Sequence, residues 1–186
     1  MRIIDRHDGF KVSQPNEISI LTWNLLAPCY HKDLDWEFHR LPLLRRWLER
    51  LANCDVICLQ EVDKTHGVPE ELRTRLAAHG FDSVMQDRKG FPVVNATFFK
   101  TSRFQVTWAE HRSRVLLCAL QQADGSELCV ANVHLEAGDG AKNEAQRVSQ
   151  LKSAMGRLRA RAGWCEVVCG DFNSGLASGS MLRELL

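Results

Sequence analysis

Residues 55–63, DVICLQEVD, are the stretch from which the fold can be read. Asp55 to Leu59 is a short apolar run with β-branched residues and no polar alternation, the pattern of a strand buried on both faces. The run gives way at Gln60 and Glu61, where polar side chains begin. Moving outward, Ile18 to Trp23 (ISILTW) has the same character and predicts another buried strand. Between the two, Leu41, Leu44, Leu48 and Leu51 fall on one helical face, and Pro42 requires the helix to begin about there. Beyond them, Glu70 to His79 predicts a helix with Pro69 near its start and Gly80 past its end.

A strand-rich middle follows, with strands expected over Phe81–Gln86, Val93–Lys100, Phe104–Glu110 and Val115–Gln122. Asp124-Gly125 turns the last of these into Glu127–Leu135, a hairpin. Asn143 to Arg161 reads as a helix with Val148, Leu151, Met155 and Leu158 on one face, and Glu166 to Cys169 as a further buried strand. Gly, Ala and Ser crowd positions 174–180, and Met181 to Leu186 begins to look helical. There are no repeats, linkers or low-complexity tracts. The class expected is α/β (α+β) with several β-hairpins, in one domain over 18–186 after a lead-in at 1–17.

Composition narrows the function. The 186 residues are 45% hydrophobic and 25% charged, an ordinary globular balance, and the net charge is +1. No large field attracts long nucleic acid or an anionic membrane, so a phosphate-bearing partner must be bound locally. The cluster Arg157, Arg159, Arg161 is expected to be a solvated helix face. No run has the length and apolarity of a signal peptide or membrane span, which points to an intracellular setting, cytoplasm or nucleus, with organelles left open. The cysteines number seven, and no pair has C-x-x-C spacing, so neither a zinc site nor a disulfide framework is expected. Cys58, Cys118, Cys129, Cys165 and Cys169 lie in strand-like runs, where a thiol serves as a small buried hydrophobe.

The polar residues at the strand ends carry the chemistry. ISILTW runs into Asn24, VICLQ into Glu61, LCVANV into His134, and EVVCG into Asp171 followed by Asn173. Ligand sites of α/β proteins gather outside the carboxyl ends of strands, so strands running in one direction would make these side chains converge. Singly, each reads as a loop carboxylate, a turn residue or a structural histidine; their ordered recurrence at apolar-run ends is what singles them out. Mg²⁺ takes oxygen ligands and often only one or two carboxylates, which Glu61 can supply. An aspartate can deprotonate water, the two asparagines can donate to phosphoryl oxygens, and His134 can add a charged donor.

Together ILTWNLLAPCY, the 34–63 segment ending in ICLQEVD, NATFFKTSRF, LCVANVHLEAG and VVCGDFNSG resemble, in order, motifs of the endonuclease/exonuclease/phosphatase superfamily. The flavour is that of its deadenylase, nocturnin and 2′,5′-phosphodiesterase branch. The resemblance implies a deoxyribonuclease I-like sandwich of two sheets flanked by helices, incomplete at the C-terminus, and Mg²⁺ (or Mn²⁺) dependent phosphoester hydrolysis on an RNA 3′ end or a nucleotide. It also implies roles: Glu61 and Asn24 at the metal, His134 and Asn173 on phosphate, Asp171 on the attacking water. The rival readings are a small-molecule nucleotide phosphatase, a tyrosyl-DNA phosphodiesterase, or an inactive fragment or pseudoenzyme that acts by binding.

The sequence departs from the family's pattern in places. Val94 stands where relatives usually have Gly, and Glu136 follows His-Leu where deadenylases continue differently. A later strand Asp and a closing Ser-Asp-His do not occur, so the resemblance implies little activity from these 186 residues alone.

Overall fold

The protein is described from a computed structural model over residues 17–161 and 165–174. The lead-in up to residue 16 and the loop and helix expected within 175–186 lie outside the described residues. In chain order the elements are β1 (Ile20–Asn24), α1 (Leu41–Leu51), β2 (Val56–Asp63), α2 (Val68–Ala78), β3 (Phe81–Met85), β4 (Val93–Lys100), β5 (Gln105–His111), β6 (Val115–Gln121), β7 (Glu127–His134), α3 (Ala141–Arg161) and β8 (Cys165–Asp171). A π-helical turn, Trp36–Arg40, leads into α1.

These strands form two four-stranded sheets, ordered β1-β2-β4-β3 and β5-β6-β7-β8. Each strand buried on two faces feeds two cores. From β2, Ile57, Leu59 and Val62 pack under α1 and α2 with Leu44, Leu48, Leu72 and Leu76. Its other face, Val56 and Cys58, meets Leu116, Cys118 and Leu120 of β6 and Leu128 and Val130 of β7 between the sheets. The opposite faces of β6 and β7, from Leu117, Ala119, Cys129 and Ala131, pack against Val148, Leu151, Ala154 and Leu158 of α3. Four layers result, helix, sheet, sheet and helix, which is why the central strands show no polar alternation. Truncating a fully buried leucine such as Leu48 or Leu151 in such a core costs about 2–5 kcal/mol.

The pairing of β1 with β2 and of β7 with β8 is parallel; the remaining pairs are antiparallel. The carboxyl ends of β1 and β2, and those of β7 and β8, therefore share an end within each sheet. Two expectations need correction. β1 and β8 are strands, but each lies at an edge and is half-exposed rather than buried, because each has a hydrogen-bonded neighbour on one side only. Cys165 is exposed, for the same reason, while Cys58, Cys118 and Cys129 are buried.

Candidate active site

The interior of the sandwich changes character toward the carboxyl ends of β2 and β7. The apolar residues that fill the space between the sheets give way to Gln60 on β2 and Asn132 on β7, both fully buried. Gln60 Nε2 donates to Asn132 Oδ1 at 2.8 Å, and Asn132 Nδ2 donates to Leu59 O and Ala96 O at 3.1 and 2.9 Å. Asn95 of β4 donates to Asn132 O at 3.0 Å, and Gln86 receives Asn95 N and donates to Arg112 O. This amide network ties one sheet to the other and satisfies groups that would otherwise be buried without partners.

Directly beyond it, β2 bulges. Leu59 pairs with Ala96 and Val62 with Val94, so Gln60 and Glu61 together oppose Asn95. Val62 returns to the helix-facing core occupied by Leu59, which makes Glu61 the inserted residue. Its φ of 56° turns it out of the pleat. There its Oε2 accepts from Ala27 N at 2.7 Å and its Oε1 from Asn24 Nδ2 at 2.9 Å. Asn24 Nδ2 also donates to Asp171 Oδ2 at 2.8 Å, so one amide from the end of β1 bridges carboxylates from both sheets. His134 Nε2 lies 3.7 Å from Glu61 Oε1. Asn173 N donates to Asp171 Oδ1 at 2.9 Å, and its side-chain amide donates to Leu135 O at 2.9 Å.

Asn24, Glu61, His134 and Asp171 are thus brought together, and Asn173 sits beside Asp171 with one amide hydrogen committed to the backbone. Asn24 Oδ1 accepts from Leu26 N at 2.9 Å while its amide nitrogen faces the two carboxylates as a donor. Burial lowers the pKa of His134, Arg114 pushes it the same way, and the nearby carboxylates of Glu61 and Asp171 oppose this without reversing it.

Several contributors carried no assignment in the sequence. Asp63, wholly buried, receives Cys29 N at 2.8 Å and Thr65 N at 2.7 Å, which anchors the loop after β1 to the end of β2. Burial alone would raise its carboxyl; the hydrogen bonds from Thr65 and Cys29 outweigh that and hold it at about 2. Burial and the adjacent Asp63 push the Cys29 thiol up to about 11, so it stays protonated and is no nucleophile. Glu136 holds Arg114 through Oε2 at 2.9 Å. The available signal for Gln60, Asn95 and Asn132 was a polar residue within an otherwise apolar strand.

The donor set suits a hard divalent cation in part. Glu61 offers a carboxylate whose bonds all come from neutral N–H groups, and Asp171 lies across the same amide, which concentrates negative charge in one place. Among the described residues no group of three or more His, Cys, Asp or Glu forms a metal cluster.

No family model matches the chain. Among curated proteins, Nocturnin of Drosophila melanogaster is 26% identical over 192 residues, covering 86% of this chain and 29% of the relative. Protein angel homolog 2 of Bos taurus is 28% identical over 194 residues, covering 85% of this chain and 35% of the relative. The chain therefore spans about a third of the length of these two curated relatives. Of solved structures, ANGEL2, described as a 2′,3′-cyclic phosphatase and bound to adenosine-2′,3′-vanadate, superposes with a TM-score of 0.76 at 26% identity, over 90% of this chain and 56% of that one. The human Nocturnin catalytic domain with bound sulfate has the same fold, with a TM-score of 0.68 at 22% identity over 90% of this chain and 67% of that one.

Two sheets flanked by helices, with polar strand ends converging at one rim, define a deoxyribonuclease I-like α/β protein. In sequence and fold the chain is similar to Nocturnin and Protein angel homolog 2, the likeness expected for the deadenylase and nocturnin-like branch of the endonuclease/exonuclease/phosphatase superfamily.

Proposed function

We propose that the protein hydrolyses a phosphoester on an RNA 3′ end or a nucleotide, with Mg²⁺ held by Glu61. The observation that carries this reading is the Asn24 amide shared between Glu61 and Asp171. It places a carboxylate whose remaining lone pairs can meet a cation next to one positioned to take a proton. A bound Mg²⁺, or Mn²⁺ on the same oxygen set, would neutralise charge on the phosphoryl oxygens. Asp171, fixed by Asn24 and by Asn173 N, orients an attacking water and accepts its proton. Asn24 keeps the two carboxylates apart and aligned. His134 directs an N–H toward the phosphate, and Asn173 offers its remaining amide hydrogen.

The relative that superposes best of those described, a 2′,3′-cyclic phosphatase with an adenosine vanadate, supports the RNA-end side of this reading. The family's later Asp and Ser-Asp-His do not occur in these residues. Losing members of a constellation that acts as a unit typically costs orders of magnitude in rate, so little turnover is expected from the 186-residue chain by itself.

The test compares this chain with the full product of the reading frame that encodes it. Substrates are oligo(A), 2′,5′-oligoadenylate, an oligonucleotide ending in a 2′,3′-cyclic phosphate, NADPH and a 5′-tyrosyl oligonucleotide. The full product should turn over one of the first three, lose activity in EDTA, and drop by about 100-fold or more with Asp171→Asn. Glu61→Gln should raise the Mg²⁺ concentration needed for half-maximal rate. An Asp171→Asn enzyme with wild-type kcat would remove Asp171 from the mechanism.

A further inference from the structure

His134 and the inter-sheet amides Gln86 and Asn95 also belong to a second feature. A cavity of about 50 Å³ is lined by Gln86, Asn95 and His134, with Tyr30, Arg88 and Arg114 at its walls. By the space one water occupies, this volume is on the order of a few waters, about the bulk of a phosphate group.

The two guanidiniums are delivered there by the fold. Arg114 immediately precedes β6, and its carbonyl accepts from His134 N at 2.9 Å, which fixes it beside the imidazole. Arg88 follows β3 two residues after Gln86, whose side chain ties β3 and β4 to the strands of the other sheet. The Arg88 guanidinium lies 3.7 Å over the ring of Phe91, and its carbonyl is held by Lys64 Nζ at 3.0 Å. The charges are unbalanced. Arg114 has Glu136 as partner, while Arg88 has no carboxylate within ion-pair distance among the described residues. Both are half-buried. Burial first, and then the neighbouring Arg114, lower the Arg88 pKa, and both residues line the one cavity. Like charges held together at a polar cavity cost stability unless an anion bridges them.

We propose that Arg88 and Arg114 form a subsite for a second phosphate of the substrate, one removed from the phosphate that is cleaved. This inference deepens the hydrolytic reading above and rests on it for the position of the scissile phosphate. Guanidinium forks take phosphate oxygens bidentately, and the wall position of both side chains lets them close on an oxyanion from two sides. His134, shared by both sites, sets the spacing between the two phosphates. The second phosphate can be the next diester of an oligonucleotide or the additional monoester of a nucleotide bisphosphate.

Calorimetric titration of this chain in EDTA tests the subsite without turnover. The probes are AMP, adenosine 3′,5′-bisphosphate and the 5′-phosphorylated dinucleotide pApA. At least one two-phosphate probe should bind about tenfold tighter than AMP, and Arg88→Ala and Arg114→Ala should each remove most of that advantage. An unchanged melting temperature shows that the variants are folded, and Arg88→Lys and Arg114→Lys should fall between. Preference for pApA alone assigns the subsite to an RNA backbone; preference for the bisphosphate alone assigns it to a nucleotide; both support it. If the native chain binds neither more tightly than AMP, or if the double alanine variant keeps the preference, the subsite is overturned. Arginine-dependent binding persisting while every form lacks turnover would sink the hydrolytic reading and leave the anion subsite standing.

Discussion

Leu26, Glu61 and Asn173 adopt positive φ of 54°, 56° and 49°; Leu26 and Asn173 follow β1 and β8, and Glu61 is the bulge residue of β2. Outside glycine and asparagine this conformation costs on the order of 1–3 kcal/mol. Leu26 N and Ala27 N offset it by donating to Asn24 Oδ1 and Glu61 Oε2. Strain and site thus share the same hydrogen bonds. Gly170 is the fourth such position: its φ is 140°, and a Cβ there would lie 2.0 Å from Val133 O on β7. No side chain fits, because β7 and β8 must approach closely just before Asp171. Gly170→Ala is expected to destabilise by about 2–5 kcal/mol and to displace Asp171, so any residual hydrolysis by the full product should fall with it. Chemical denaturation and activity measure the two effects, and a variant with native stability would show that β7 and β8 can separate freely at this point.

At the scale of elements, α1 and α2 are clamped where they cross. Arg45 Nε and Nη2 donate to Glu71 at 2.7 and 2.9 Å, and Arg75 adds a further ion pair to the same carboxylate. The Arg45 hydrogen bonds, with Arg75 behind them, outweigh burial and hold the Glu71 carboxyl at about 2. A carboxyl whose folded pKa is depressed stabilises the protein fully above its ordinary pKa, and that stabilisation is lost as pH falls toward the folded value. Melting temperature should therefore fall between about pH 4.5 and pH 2 through this group. Glu71→Gln should melt lower than the native chain at pH 7, with the gap closing toward pH 2. A gap that stays constant across that window would assign the effect of Glu71 to packing instead of charge. This clamp was not readable from the chain, since Arg45 and Glu71 meet only after both helices have docked on β2. The helices themselves were: the Leu41–Leu51 face matches α1 in full, because Leu44, Leu48 and Leu51 had no alternative to burial.

On the scale of the whole molecule, the amides Gln60, Asn95 and Asn132 hold the sheets in register below the carboxylates. Asn132→Leu keeps the volume but removes the side-chain donor to Leu59 O and Ala96 O and one of the acceptors of Gln60 Nε2, and should cost about 2–4 kcal/mol. It should also loosen the distance between β2 and β7, so binding of phosphate probes should weaken although Asn132 touches none. A stability change under about 0.5 kcal/mol would show that water replaces the amide at no cost. Among the described residues β1 and β8 each pair with one neighbouring strand, an edge arrangement open to further pairing. Trp23 and Trp47 lie beside the β1 edge with Leu21 and Leu51, an apolar margin that should promote self-association at high concentration. Light scattering as a function of concentration checks this; a monodisperse monomer throughout would show the margin to be protected.

Apolar runs such as ICL, VLLCAL and LCVA read as central strands, and the polar residues beyond them marked a rim, so the layered fold and four residues of the candidate site were legible in one dimension. Local composition decides such features because burial acts residue by residue. The edge position of β1 and β8, the donor orientation of Asn24, the lowered pKa of His134 and the shared cavity of Arg88 and Arg114 were not legible. Each depends on which strand or charge stands next to it across the sandwich, and that is fixed by long-range pairing whose partners lie up to 147 residues apart. Sheet order, the β2 bulge and the packing of one sheet on the other settled them.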